Sequence, residues 1–136
     1  MNRFKQQFDL WKDFTFEAAH RLTKVPAYHQ CRRLHGHSYR FRIHCSGLIK
    51  PEFDWVVDYA EIGVVGKIIV DKLDHRNLNE ILKMETTAEN LCFWIAERVQ
   101  RRLPELSAIE VFETPTTSVR MTVPRNENAE GEGLPK

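Results

Sequence analysis

The most constraining feature of this chain is a strict alternation of apolar and polar residues over residues 38–48. The apolar members are Tyr39, Phe41, Ile43 and Cys45, and the polar residues between them are Arg40, Arg42 and His44. Successive side chains of a strand point to opposite faces, so the pattern predicts a β-strand with one buried and one wet face. Residues 8–19 repeat this period, with Lys12 as the exception. The two segments are expected to pair as antiparallel strands across the loop at 22–34.

The second half of the chain predicts two amphipathic helices. Asp58 with Glu61, and Thr86 with Glu89, have the spacing of a capping box. Apolar residues recur at helical period after each pair, and the patterns stop near Asp74 and at Pro104. Two short strands, 107–113 and 118–123, follow with a turn at 114–117.

The resulting order is β-β-α-α-β-β. It predicts an α+β fold in which a four-stranded antiparallel sheet carries both helices on one face. Residues 1–123 are expected to form a single domain, and residues 124–136 a polar, disordered C-terminal tail.

Composition narrows the class of protein. The 136 residues suit one domain, and a net charge of +1 gives no indication of a nucleic-acid or membrane partner. The three cysteines are far apart, which favours a reduced, cytoplasmic setting. We expect neither an N-terminal leader nor a membrane span, since no apolar run approaches about 20 residues.

The basic residues Arg40 and Arg42 are interpreted as a solvated strand face, with an anion-binding role as the alternative.

A metal site is predicted from His20, His35 and His37. His35 and His37 flank Gly36, and residues two apart in a strand share a face. Pairing of the strands would bring His20 opposite them, in phase with the apolar positions. Three histidines without a fourth protein ligand are typical of catalytic zinc. On spacing alone, a chance His-x-His pair among six histidines is an equally good explanation.

Four further residues are candidates for chemistry. Cys31 precedes His35 by four residues and is followed by two arginines, which lower a thiol pKa and favour a thiolate base; the alternative is an ordinary loop cysteine. Asp74 can orient His75 for proton transfer, although a histidine at a helix C-terminus also benefits from the helix dipole. Glu113 can accept two parallel N–H groups of a ligand, or be a surface strand residue.

These segments together resemble the 6-pyruvoyl-tetrahydropterin synthase family, which includes 6-carboxytetrahydropterin synthase. The matching segments are residues 16–22 (FEAAHRL), 31–37 (CRRLHGH), 57–59 (VDY), 73–79 (LDHRNLN), 86–91 (TTAENL) and 113–114 (ET). They span nearly the whole chain. Each is modest alone, but their order and spacing are specific. One departure is Thr86, where the family often has proline.

The resemblance implies a T-fold whose monomers join as barrel-forming trimers, two of which stack into a hexamer with active sites at subunit interfaces. It assigns zinc to His20, His35 and His37, and the proton-abstracting base to Cys31. Asp74 and His75 would complete the catalytic triad from a neighbouring subunit. The implied pterin-binding residues are Glu113, Thr86 and Thr87.

The three residues between Cys31 and His35 resemble the bacterial queuosine-pathway branch. That branch implies a zinc-dependent lyase that converts 7,8-dihydroneopterin triphosphate to 6-carboxy-5,6,7,8-tetrahydropterin, acetaldehyde and triphosphate. Alternatives are the pyruvoyl-forming synthase, a zinc hydrolase and a non-catalytic pterin-binding protein. A folate-pathway branch carries glutamate in place of the cysteine, and Cys31 argues against it.

Overall fold

The computed structural model describes residues 1–124; most of the predicted tail, 125–136, lies outside the described residues. The strands and helices are β1 (Phe8–His20), β2 (His35–Gly47), α1 (Tyr59–Leu73), β3 (Arg76–Asn77), α2 (Ala88–Gln100), β4 (Leu106–Thr114) and β5 (Thr117–Thr122). Three short 3-10 helices cover Arg3–Lys5, Gln30–Arg32 and Leu78–Glu80. The two predicted helices and four predicted strands are all present.

The sheet has five strands in the order β3-β1-β2-β4-β5, so the prediction of four antiparallel strands is wrong in number and in type. β1 and β2 pair antiparallel over their full length, from Phe8 opposite Gly47 to His20 opposite His35. The added β3 runs parallel to β1 through two residue pairs. A two-residue strand is too short to carry an alternation pattern, which is why the sequence did not predict it.

Two predicted element boundaries also need correction. β2 begins at His35, three residues earlier than expected, so both histidines of the His-Gly-His segment lie on the strand. Helix α2 is capped by Thr87 and not by Thr86: the Thr87 hydroxyl accepts from the Asn90 amide at 3.2 Å. Neighbouring threonines can cap a helix equally well, and the choice here depends on what Thr86 contacts elsewhere.

Both helices cover the apolar face of the sheet, α1 on β1 and α2 on β4 and β5. The core includes Phe16, Phe41 and Ile109, which are essentially inaccessible to solvent. Gly66 of α1 lies directly against the Phe14 ring, which an added Cβ at Gly66 would approach within 2.1 Å. Glycine at this position therefore sets how closely α1 approaches β1.

The opposite face of the sheet carries ion pairs. Asp13 accepts from Arg40 at 3.1 Å and from Arg42 at 2.8 Å. Arg40 and Arg42 are thus strand-face residues with a carboxylate partner, in line with the first interpretation of the basic stretch. Among residues 1–124, no helix is long and apolar enough to cross a membrane.

Candidate active site

Three imidazoles converge where β1 ends and β2 begins. His20 pairs with His35 across the two strands, and His37 lies opposite Ala18. One ligand atom from each histidine lies within 4.8 Å of the others. The His20 side chain is buried, and His35 and His37 are half-buried. The ligands therefore continue the apolar face of the sheet, as the strand parity predicts.

Hydrogen bonds to backbone carbonyls orient two of these rings. His20 Nδ1 donates to the Thr86 carbonyl oxygen at 2.8 Å, and His35 Nδ1 donates to the Arg33 carbonyl oxygen at 2.7 Å. A carbonyl oxygen can only accept, so Nδ1 carries a proton, and in the neutral ring Nε2 then keeps its lone pair. Histidines that bind metals commonly have their second nitrogen held in this way.

In two of the three rings, the Nε2 nitrogen makes no hydrogen bond within the described residues. His20 Nε2 and His37 Nε2 are buried and lack a hydrogen-bond partner there. Burial lowers the pKa of His20, against the opposing effect of the Thr86 hydrogen bond, so the ring stays neutral and able to bind a cation. Buried polar atoms without partners are rare, and a cation at the centre would satisfy them. Three nitrogen donors with an open side fit zinc in its catalytic form.

Thr86 is a residue whose contact the sequence did not predict. Its side chain is almost fully buried, and its hydroxyl lies 3.1 Å from His20 Nδ1 and donates to the Arg21 carbonyl oxygen at 3.2 Å. The capping-box prediction assigns the Thr86 hydroxyl to the start of α2. The same hydroxyl therefore offered no separate indication of a contact with His20. Thr87 points instead along its own helix.

Glu113 and Tyr39 border the histidines from the sheet. Glu113 Oε2 lies 3.6 Å from His37 Nε2. The Tyr39 hydroxyl is buried without a partner among the described residues, and burial, with a smaller effect of Glu113, raises its pKa above the usual value. Sequence reasoning placed Tyr39 only in the core. Because Tyr39 follows His37 by two residues and shares its strand face, the sequence could have indicated that Tyr39 lies beside the histidines.

Cys31 lies in the 3-10 helix Gln30–Arg32, in the loop that leads into β2, and is half-buried. Its carbonyl oxygen accepts from the Leu22 amide at 2.8 Å, which ties this helix to the chain leaving β1. Arg32 donates to the Val25 carbonyl oxygen at 2.8 Å and so braces the loop. Cys31 is not one of the three residues whose ligand atoms converge.

A carboxylate missed by sequence reasoning anchors the same loop. Glu85 accepts from the amides of Thr23 and Lys24, at 2.6–3.0 Å, and from the Thr23 hydroxyl at 3.0 Å. Burial raises the pKa of Glu85, but these hydrogen bonds outweigh it and the net pKa is lowered. The loop holding Cys31 is thereby fixed to the segment before α2.

Asp74 and His75 face each other within one chain. Asp74 ends α1, and His75 adopts a left-handed backbone with φ of 59°. His75 Nδ1 lies 2.9 Å from Asp74 Oδ2, and the other carboxylate oxygen accepts from the Glu17 amide at 2.8 Å. The Glu17 amide and, secondarily, His75 lower the pKa of Asp74. The turn after α1 thus pairs two neighbouring residues that sequence reasoning could not show to be facing.

Within a single chain, the Asp74–His75 pair and the three histidines are not joined by a hydrogen bond or an ion pair among the described residues. The His75 side chain is 79% exposed and lines an open cleft of about 540 Å³, whose other lining residues include Glu17, Gly36, Ser38 and also His37. Glu17, Gly36 and Ser38 have the opposite strand parity to His20 and His35, whereas His37 has the same parity. No hydrogen bond or ion pair among residues 1–124 links His75 to the three histidines.

Comparison with known proteins places this chain in a family. Residues 9–123 match the family model described as 6-pyruvoyl tetrahydropterin synthase. The chain is 36% identical over 123 residues to a 6-carboxy-5,6,7,8-tetrahydropterin synthase of Synechocystis sp., covering 85% of this chain and 94% of that protein. It is 38% identical over 90 residues to a dihydroneopterin monophosphate aldolase of Pyrococcus furiosus, covering 66% of this chain and 73% of that protein.

The solved structure of 6-pyruvoyl tetrahydropterin synthase from Caenorhabditis elegans shares the fold. Its TM-score is 0.81 at 23% identity, with 91% of this chain and all of that chain covered. The five-stranded sheet and two helices are therefore a T-fold. The resemblance inferred from the sequence motifs is confirmed.

Proposed function

Since the chain belongs to the 6-pyruvoyl tetrahydropterin synthase family, we propose that it is a zinc-dependent carbon–carbon lyase acting on 7,8-dihydroneopterin triphosphate. With the uptake of one water molecule, the products would be 6-carboxy-5,6,7,8-tetrahydropterin, acetaldehyde and triphosphate, in cytoplasmic queuosine biosynthesis. The observation that carries the proposal is the three-histidine centre with its buried, unpartnered nitrogens. The 36% identity to the Synechocystis synthase supports the carboxy-forming branch.

His20, His35 and His37 would hold the zinc ion, which when bound supplies a Lewis acid for side-chain oxygens of the substrate. Cys31 would act as general base, taking a proton from the side-chain carbon next to the pterin ring. Its loop is held by hydrogen bonds on both sides, which supports a fixed position for the thiol. A fixed loop would keep the Cys31 thiol within hydrogen-bond distance of the substrate, which proton transfer requires.

The Asp74–His75 pair would carry the second proton transfer. Asp74 holds Nδ1 of His75, which leaves Nε2 exposed to exchange a proton with a substrate. Glu113 would accept the N–H groups of the pterin ring, in line with its half-buried position beside His37. Thr86 and Thr87 would border the pterin, Thr86 through its contact with His20.

A homo-oligomer, a hexamer built as a dimer of trimers, is part of this proposal. His75 is exposed at the edge of β1 and makes no hydrogen bond or ion pair with the three histidines of its own chain within the described residues. A neighbouring subunit would bring its own Asp74–His75 pair to the site. Because the centre needs both sets of groups, assembly would complete it.

The decisive experiment is product analysis. The zinc-loaded protein is incubated with 7,8-dihydroneopterin triphosphate, and the pterin and volatile products are identified by mass spectrometry. The proposal expects 6-carboxytetrahydropterin together with acetaldehyde. A 6-pyruvoyl product without acetaldehyde would assign the chain to the synthase that stops before carbon–carbon cleavage. Absence of any turnover would favour a non-catalytic pterin-binding protein.

A second candidate is aldol cleavage of a dihydroneopterin phosphate. It is favoured by the 38% identity to the Pyrococcus furiosus protein named as a dihydroneopterin monophosphate aldolase. Offering the monophosphate and the triphosphate in parallel separates the two functions, because the lyase proposed above requires loss of triphosphate. A zinc hydrolase would release phosphate while leaving the carbon skeleton intact.

A further inference from the structure

A basic groove lies between the C-terminal parts of α1 and α2. Its cavity, about 370 Å³, is lined by four cationic side chains, those of Lys72, Arg98, Arg101 and Arg102. A second cavity of about 400 Å³ shares Lys72 and Arg98 and adds Arg76. We call the surface formed by these five residues the helix groove. The whole chain has a net charge of only +1, so this concentration of cations is local.

Arg98 is the fixed member of the helix groove. It is half-buried, its Nη1 donates to the Trp94 carbonyl oxygen at 2.9 Å, and its guanidinium lies 3.7 Å from the Trp94 ring centroid. Burial lowers the pKa of Arg98, as does Arg101, against the opposing charge of Glu97. The guanidinium is thus held in place and partly desolvated, with N–H groups still free to donate.

The cations of the helix groove lack carboxylate partners. Among residues 1–124, the ion pairs do not include any of the five. Asp71, the one acid lining the second cavity, lies 3.2 Å from Lys67. Arg98 is partly desolvated and the other four cations are exposed. Clustered like charges repel, so the arrangement is favourable when an anion occupies it.

We infer that the helix groove binds the phosphate chain of a small oligophosphate, inorganic or carried by a nucleotide. Guanidinium groups present N–H donors in a fork that matches phosphate oxygens, and several cations around one cavity select a multiply charged anion. The cavity has the size of a small-molecule site. A polynucleotide fits less well, because the cations are gathered in one concavity and do not extend as a stripe.

Arg101 and Arg102 of the helix groove lie away from the three histidines, whereas Arg76 also lines the cleft that contains His37 and His75. Thr86 contacts His20 just before α2, whereas Arg101 follows the other end of that helix. At 1.5 Å per residue, the two ends are roughly 20 Å apart. Anion binding at Arg101 and Arg102 therefore does not require the proposed lyase reaction.

The test is isothermal titration of the full-length protein with inorganic triphosphate and, separately, with ATP. Arg101→Gln/Arg102→Gln is the groove variant, since both side chains are exposed and not packed into the core. Loss of two charged hydrogen bonds predicts an affinity reduced about tenfold or more. Arg120→Gln, an exposed arginine on β5, and His35→Asn, in the histidine centre, should bind as the native chain does. Thermal melting checks that each variant is folded.

Binding of either ligand with this pattern supports the inference, and comparing the two shows whether a nucleoside contributes. The inference is overturned if neither ligand binds, or if Arg120→Gln weakens binding as much as the groove variant. Loss of binding in His35→Asn alone would place the ligand at the histidines. Binding of polynucleotide but not of small phosphates would also overturn it.

Discussion

His20 donates from Nδ1 to the carbonyl oxygen of Thr86 at 2.8 Å, across 66 residues of sequence. This hydrogen bond joins the end of β1 to the residue before the cap of α2. It holds the imidazole with Nε2 aimed away from the helix. The Thr86 hydroxyl, 3.1 Å from the same nitrogen, is a second acceptor.

Replacing Thr86 by valine should weaken zinc binding. The change removes the hydroxyl but keeps the carbonyl oxygen and the side-chain shape, so we expect affinity to fall about tenfold, the low end for loss of a partner behind a metal ligand. Competition with a chromogenic chelator measures this. Thr87→Val is the matched control. It removes the α2 cap, at a cost of about 1 kcal/mol in unfolding free energy, and should leave zinc affinity unchanged. Equal zinc affinities in the two variants would show that the Thr86 hydroxyl does not support the centre.

Replacing Cys31 by alanine separates the lyase from a zinc hydrolase. If the thiol is the general base, turnover of 7,8-dihydroneopterin triphosphate should fall about 100-fold or more, while zinc content stays at the native level. Metal analysis and product formation are measured on the same preparation. Cys92 is buried in the core, so Cys92→Ala is a poor control. Cys31→Ser is used as a second variant, and its turnover should also be impaired. Near-native turnover in Cys31→Ala would support a metal-activated water.

Mixing two inactive variants tests whether sites are shared between subunits. Cys31→Ala and His75→Asn remove groups that would come from different subunits at each site. Unfolding and refolding them together at equal amounts should restore roughly a quarter of native activity, since random assembly gives some sites both native groups. Each variant refolded alone is the control. Absence of recovery, with mixed oligomers shown by mass spectrometry, would place both groups on one chain.

Two glycines of α1 should respond oppositely to alanine. At Gly66 the new Cβ would lie 2.1–2.6 Å from Phe14 ring atoms, so we expect a net loss of about 1–2 kcal/mol after allowing for the helix preference of alanine. At Gly63 the nearest atom is Lys12 Nζ at 3.5 Å, an ordinary contact, and alanine should stabilise by up to about 1 kcal/mol. Chemical denaturation measures both. A stabilised Gly66→Ala would mean that Phe14 moves aside freely.

Asp74 should contribute to acid sensitivity of the fold. The Glu17 amide and His75 lower its pKa below the usual 3.8. A carboxyl with a lowered folded-state pKa adds stability above its unfolded pKa, and that stability is lost as pH falls through the folded value. Asp74→Asn should therefore reduce stability at neutral pH and show a shallower decline below about pH 4. Urea unfolding across this range, with exposed Asp9→Asn as control, measures the difference. Parallel pH curves for Asp74→Asn and the native chain would contradict the assignment.

Much of the fold follows from periodic signals in the chain. The alternation at Tyr39 and Phe41 specifies a strand and its buried face, and extending it to His35 and His37 places these rings on that face. The order of strands and helices along the chain then leaves few possible ways to pack the two helices on the sheet. Beyond that point, β3 escaped prediction because two residues have no period, and it forms only because the edge of β1 offers unpaired backbone groups.

The sequence by itself determined which residues line the apolar face, where the two helices run, and that three histidines share one side of a strand pair. Only the tertiary structure decided that Thr86 holds His20 and that Glu85 anchors the loop of Cys31. The physical reason is the separation along the sequence between the groups that interact. Burial patterns repeat within a few residues and can be read locally, whereas a hydrogen bond between groups more than 60 residues apart depends on how packed elements bring them together.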